Sequence, residues 1–305
     1  MTITIAIAAS DALFQFITGF SVSGKAQMGG RLTSFLRRPD IGIYLAKLIF
    51  PLTALWIRQT AYTYNKSSLL CGGFLFFVVS VILLTGERTA TVLSLFAISL
   101  ILFIIGVTNK YLRKYVILGI ICTFLLLILV IYNSPFLYKR ALDFTKDIGN
   151  FANSLYGQLF KASILSWLEY GFFAGVGIRQ FRNACPSFME SGQISYCDLH
   201  SHNIYLEILS ESGLIGIILF CVFVGLCLRQ VYKSAVLAYK EDVAIFISNL
   251  CLLGGLIIIL FPISVTMSFI TNWSATLNWL GISLCIAISK VGAAQSGSKK
   301  ELRYY

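Results

Sequence analysis

Two imidazoles and a few arginines are the side chains of this sequence best suited to chemistry. Both histidines of the 305 residues, His200 and His202, lie in one stretch, Asp198-Leu-His-Ser-His-Asn-Ile-Tyr-Leu-Glu-Ile-Leu-Ser-Glu-Ser-Gly213. A neutral imidazole can accept or orient a hydroxyl proton near neutral pH. The stretch ends a polar segment and runs into an apolar one, and it predicts a helix that begins at His202 with Ser201 as its cap. On that helix Asn203, Glu207 and Glu211 share a face. Gly213 and Gly216 are expected to let it pack closely against neighbours. A polar helix N-terminus at a bilayer surface suits an anionic headgroup, because free N–H groups and the helix dipole both favour negative charge. The arginines stand at turns. Arg88 lies in Thr85-Gly-Glu-Arg-Thr89 between two apolar runs. Arg179 and Arg182 follow the glycine-rich Gly171-Phe-Phe-Ala-Gly-Val-Gly177. That run lacks GxGxxG spacing and follows no strand, which argues against a dinucleotide site.

Stepping outward, the elements that must hold these groups are membrane helices. Mean hydropathy is +0.82 and 12% of residues are charged, values of an all-α polytopic membrane protein. The net charge of +11 reads as basic loops meeting anionic lipid, with no nucleic acid as partner. Apolar stretches predict about seven transmembrane helices, at 40–57, 68–84, 89–107, 115–132, 212–228, 245–262 and 273–290. Residues 1–9 look like the tail of an earlier, partial span.

Short basic loops orient the bundle. Arg58 and Lys66, then Lys110, Arg113 and Lys114, then Arg229, Lys233 and Lys240, and finally Lys290, Lys299, Lys300 and Arg303 fall on one side by alternation, the cytoplasmic one. Three regions follow: an N-terminal bundle over 1–132 with an external basic segment at 10–39, a large partly helical external loop over 133–211, and C-terminal helices with a cytoplasmic tail over 212–305. Arg37, Arg38 and Arg140 belong to the external, cationic surface, which implies an anionic partner there. Within the loop, 154–170 reads as an amphipathic helix with Leu155, Leu159, Ile164 and Leu168 on one broad apolar side. Cys185 and Cys197 lie together in the polar loop, and an oxidising compartment would pair them. The other six cysteines sit in apolar runs and read as small core residues.

These stretches together resemble the O-antigen ligase and polymerase superfamily, bacterial polytopic membrane proteins with one large periplasmic loop. The matching pieces are Arg31-Leu-Thr, Thr85-Gly-Glu-Arg88, Gly175-Val-Gly-Ile-Arg-Gln-Phe181 and His202-Asn-Ile-Tyr-Leu-Glu-Ile-Leu-Ser-Glu-Ser-Gly213. His200-Ser-His202 with a cysteine shortly before looks most like the ligase branch. The family has more N-terminal spans than this chain, so a fragment or a shortened relative is expected. The resemblance implies transfer of a glycan from undecaprenyl pyrophosphate to a lipid A-core acceptor, at the periplasmic face of the inner membrane, without metal or other cofactor. The alternatives are an O-antigen polymerase, a protein O-oligosaccharyltransferase and, outside the class, a lipid-linked glycan transporter. A transporter would need charged or broken helices near the midplane, and Lys47 is the one candidate for a charge within a span.

Such a transfer expels a pyrophosphate, and guanidinium forks suit that charge. Arg88 is the first choice for this catalytic role, with Arg179 beside it and Arg31 and Arg182 as binding groups. The bland reading of each is an interfacial anchor or a solvated surface residue. His202 is the expected base or orienting group for the acceptor hydroxyl, ahead of His200. Asn203 orients His202 or the sugar, or else caps the helix. Tyr205 and Trp167 could stack on sugars or serve as interfacial aromatics. Glu211 is read as structural, tying the helix end to a nearby arginine.

Overall fold

The computed structural model describes residues 1–60, 66–111 and 113–301. The side chains of Lys66, Lys299 and Lys300, and all of Arg303, lie outside the described residues. The chain is helical: α1 (Thr2–Thr18), α2 (Ile41–Thr60), α3 (Lys66–Leu84), α4 (Arg88–Thr108), α5 (Arg113–Asn133), α6 (Pro135–Gly149), α7 (Leu155–Tyr170), α8 (Phe181–Glu190), α9 (Ile204–Ala238), α10 (Val243–Leu260) and α11 (Asn272–Glu301). Among the described residues the extended pairings are two isolated bridges, Phe20 with Ala26 and Met28 with Arg31. Five helical stretches are long and apolar enough to cross a membrane: Ile41–Thr60, Arg88–Thr108, Ile204–Ala238, Val243–Leu260 and Trp273–Val291. Thr2–Thr18, Leu70–Leu84 and Val116–Leu125 are shorter apolar helices. This is a multi-pass membrane protein with five such spans among the described residues.

The chain divides into two compact units. The first comprises Met1–Leu142, Leu228–Ile259 and Gly281–Tyr305. Here α1 ends at Gly19, whose left-handed backbone closes the last turn through its N–H on the Gln15 carbonyl at 2.9 Å. Two buried polar residues of α1 then fold the basic segment back. The Gln15 Oε1 accepts the N–H groups of Thr33 and Ser34, both at 2.8 Å. Asp11 accepts the Val22 N–H at 2.7 Å and the Ser34 hydroxyl. At the end of α2, Arg58 is not a loop residue: its guanidinium donates to the Ser248 hydroxyl at 2.7 Å, to Asn249 Oδ1 at 3.0 Å and to the Ile288 carbonyl. Lys47 is buried within α2, in electrostatic reach of Glu87 and Asp40.

The second unit comprises Asp143–Cys227 and Leu260–Leu280. Ser154 caps α7 by accepting the Gly157 N–H at 3.1 Å. Leu159 and Ala162 of α7 pack with Phe181, Cys185 and Phe188 of α8 and with Ile194 into one core. Cys185 and Cys197 are joined by a disulfide at its edge, with Cα atoms 5.9 Å apart. Of the four residues expected on one apolar side of α7, only Leu159 is buried. Leu155, Ile164 and Leu168 are exposed. The reason lies in the packing: the face of α7 turned to its core is built from Gly157, Ala162, Ser163 and Ser166 around Leu159, small residues that allow close approach.

Candidate active site

His202 does not begin a helix. Its backbone is left-handed, with φ 54°, and α9 starts two residues later. Asn203 is the cap, its Oδ1 accepting the Leu206 N–H at 3.1 Å. Ser201, expected in that role, donates its hydroxyl to the Asn203 carbonyl at 3.1 Å instead. The Thr266 N–H holds the His202 carbonyl at 2.8 Å. A left-handed non-glycine residue costs on the order of 1–3 kcal/mol, and such strain gathers at functional sites. Among the described residues it occurs at Ser34, Arg179 and His202.

The turn sets the His202 ring against Asp198, with Nε2 3.0 Å from Oδ2. The Leu199 N–H donates to Asp198 Oδ1 at 2.6 Å, and the Tyr196 hydroxyl lies 3.4 Å from Oδ2. Burial works to raise the Asp198 carboxyl, but the Leu199 N–H and the His202 ring outweigh it and hold the group below the ordinary carboxylate value. Burial, and then the Asp198 charge, push the Tyr196 phenol up. The His200 ring lies 4.0 Å from that of His202, centroid to centroid, and Tyr156 meets His202 edge-on at 5.9 Å. His200 is buried, while the His202 side chain keeps 17% of its surface. The sequence alone gives Asp198 no role, and its place four residues before His202 is the one signal that marks it.

Asn203, Glu207 and Glu211 do share a face, and each anchors a loop. Asn203 Nδ2 donates to the carbonyls of Pro262 and Ser264 at 2.7 and 3.2 Å. Glu207 accepts the Ser268 hydroxyl and the Phe269 N–H. Glu211 accepts the N–H of Arg179 at 2.7 Å and that of Phe181. Glu211 is thus tied to the arginine segment, through the backbone. Tyr205 is engaged in packing: its hydroxyl donates to the Leu260 carbonyl at 2.8 Å, and its ring meets Phe220 edge-on. Trp167 donates its indole N–H to the Phe172 carbonyl at 2.7 Å.

The glycines of both motifs serve one interlock. Gly213, expected to ease helix packing, breaks α9 with φ 64° and ψ −162°. Gly216 faces Ser212 of its own helix. The backbone groups freed at the break are paired by the 172–177 turn. Leu214 and Ile215 donate N–H groups to the carbonyls of Phe172 and Phe173 at 2.9 and 3.2 Å. Val176 and Gly177 donate to those of Ser210 and Glu211 at 2.8 and 3.1 Å. A Cβ at Gly175 would lie 2.4 Å from the Glu211 carbonyl carbon, and one at Gly213 2.4 Å from that of Phe173. Arg179 leaves this interlock exposed, with φ 63°. Arg182 is half-buried beside Glu211, its Nε without a hydrogen-bond partner.

In the first unit, the Thr85–Arg88 turn is a junction. The Thr85 carbonyl accepts the Leu32 N–H at 3.2 Å. Glu87 caps α2, accepting the Gly42 N–H at 2.7 Å and the Ile43 N–H at 3.0 Å. Burial pushes the Glu87 carboxyl up to about 8, against the pull of the Arg31 guanidinium. The Phe136 ring packs onto Gly30 and Gly86, where added Cβ atoms would lie 2.4 and 3.0 Å from it. Arg31 passes the same Gly86, donating Nη2 to the Pro39 carbonyl at 2.7 Å, with its Nε buried and without a hydrogen-bond partner. The Arg140 guanidinium stands 5.8 Å from the Phe136 centroid. Arg31 therefore lies against the turn that leads into Arg88 at the start of α4, and Phe136, packed on the same turn, carries Arg140 over its ring. Arg37 and Arg38 remain exposed. Only the fold reveals the place of Arg140, since Phe136 brings it there.

Residues 73–221 match the family model described as O-Antigen ligase. No curated protein matches the chain. The matched stretch contains Arg88, Arg179, Asp198 and His202, and over it the chain is similar to the O-antigen ligase family.

Proposed function

We propose that this protein transfers a glycan from undecaprenyl pyrophosphate to a sugar of a lipid A core, at the periplasmic face of the inner membrane. The observation that carries the reading is the Asp198–His202 pair on strained backbone inside the family match. With Nε2–H donated to Asp198, Nδ1 of His202 holds the lone pair. The acceptor hydroxyl gives its proton to Nδ1 as its oxygen bonds the anomeric carbon of the donor. The bond from that carbon to the pyrophosphate oxygen breaks, and the electron pair leaves with the pyrophosphate. Arg88 offsets the charge on the phosphates, with Arg31, Arg179 and Arg182 as further binding groups. His200 supports the His202 ring. Asn203 and Tyr205 act by holding the segments around them. The remaining short basic loops support a periplasmic side for 10–39 and 133–211, with α3 and α5 as further spans and α1 as a partial one.

The test is reconstitution of the full chain in vesicles with a carrier-linked glycan and two acceptors, lipid A core and a second carrier-linked glycan. Elongation of the lipid A core is expected. Elongation of the second carrier-linked glycan alone would make the protein a polymerase. Transfer to neither, by folded protein given its cognate glycan, would overturn the reading.

A further inference from the structure

The unit built from 143–227 and 260–280 carries an apolar surface that its own core does not use. The core side of α7 is mostly small residues, while Ile164 and Leu168 are 42% and 54% exposed. The turn that follows α7 continues this surface, with Phe172 at 42% and Phe173 at 64% exposure. Trp167 stacks on Phe172 with centroids 4.8 Å apart, and Phe172 meets Phe173 edge-on at 5.1 Å. A soluble loop has no use for such a ridge, whereas Trp and other aromatics are the usual residues of a membrane interface.

Hydrogen bonds say what covers it. The Phe172 and Phe173 carbonyls accept the N–H groups of Leu214 and Ile215 in α9. From that level α9 turns its apolar side chains outward: Ile215, Ile218 and Leu219 are 57%, 53% and 65% exposed along a helix apolar enough to span a bilayer. The two phenylalanines are therefore tied to the point where the lipid-facing surface of α9 begins. Non-helical backbone survives at such depth only when its polar groups are paired. That condition is met, because the Phe172 carbonyl takes both the Leu214 N–H and the Trp167 indole N–H, and the Phe173 carbonyl takes Ile215.

We propose that Phe172 and Phe173 insert into the bilayer and that the outer face of α7 lies in its interface, so that lipid covers this surface. The apolar ridge is continuous with the lipid-facing side of α9, which singles out acyl chains over a protein partner. The inference stands apart from the transfer chemistry. It fixes Arg179, six residues after Phe173, close to headgroup level.

The experiment uses the full chain in vesicles whose acyl chains carry bromine at a shallow or a deep position. In Phe173→Trp, and separately in Leu168→Trp, tryptophan fluorescence is compared with that of the parent protein. The added emission is expected to be quenched at least twofold more by shallow bromine than by deep bromine, and to resist aqueous iodide. Two variants keep the test open should one fail to fold. Quenching by iodide without quenching by bromine would overturn the proposal. So would shielding from both, since another protein surface would then be the cover.

Discussion

Asp198 and His202 meet at 3.0 Å, carboxylate Oδ2 to imidazole Nε2, across a turn that left-handed backbone at His202 closes just before α9. The contact engages one ring nitrogen with the carboxylate, and in the proposed reaction the other takes the acceptor's proton. Asp198→Asn should lower turnover by on the order of 10²-fold while leaving donor binding unchanged, since an amide keeps the shape but not the charge. The Asp198 carboxyl lies below the ordinary value of 3.8, so its stabilising contribution is present above that value and lost as pH falls through the lower folded-state value. Between pH 6 and 8 it is constant, and rate changes in that window report on other groups. With only two histidines in the chain, nitrogen NMR of labelled imidazoles reads the loss of the contact without any activity assay. Unchanged His202 signals in Asp198→Asn would discard the pairing.

Arg88 and His202 should separate by kinetics. Arg88→Ala is expected to weaken donor binding and slow transfer together, and Arg88→Lys to rescue only part, because an ammonium loses the two-pronged fork. His202→Ala should spare donor binding and cut turnover by roughly 10²–10⁴-fold. Full transfer by folded His202→Ala would remove the residue from its role.

The interlock predicts a sharp contrast among glycines. Gly213→Ala and Gly175→Ala each force a Cβ to within 2.4 Å of backbone at positive φ, so each should destabilise by about 3 kcal/mol or more. At Gly225, a helical position with nothing within 4 Å, alanine should be neutral or stabilise by roughly 0.5–1 kcal/mol. Thermal unfolding in detergent measures all three. Equal melting temperatures would mean that the turn and the kinked helix do not hold each other.

Glu87 carries a pH signature. Its carboxyl is raised to about 8 in the folded protein. Its contribution to stability is therefore present below the ordinary glutamate value and lost as pH rises through about 8. The protein should melt lower at pH 9 than at pH 6. In Glu87→Gln, which keeps an acceptor for the α2 N-terminus, that difference should shrink. A wild-type melting temperature that rises across the interval would contradict the environment assigned to the carboxyl.

The Cys185–Cys197 bridge closes a short loop against the α7–α8 core. Cys185→Ala with Cys197→Ala should cost roughly 3 kcal/mol by the chain-entropy estimate. Mass spectrometry of non-reduced peptides should recover the two cysteines joined. Free thiols at both positions in membrane-matured protein would refute it.

The sequence by itself determined the helical, membrane-spanning character, because runs of apolar residues near the bilayer's thickness have few other stable states. It also marked His202 and Arg179, which proved to hold two of the strained backbone positions, and the shared face of Asn203, Glu207 and Glu211. Which neighbour caps α9 was decided elsewhere. Ser201 and Asn203 are both good caps, and the choice turned on Pro262, Ser264 and Thr266, far along the chain. Helix periodicity runs through Gly213, so the sequence alone presents it as a packing residue. Only the turn at Phe172–Gly177, which pairs the freed N–H and carbonyl groups, makes a break there affordable. Asp198 and Arg140 likewise became legible through contacts, one across a left-handed turn and one through the ring of Phe136. Local propensity is settled within a few residues, whereas left-handed backbone, helix breaks and side-chain pairs are settled by hydrogen bonds that arrive from distant segments.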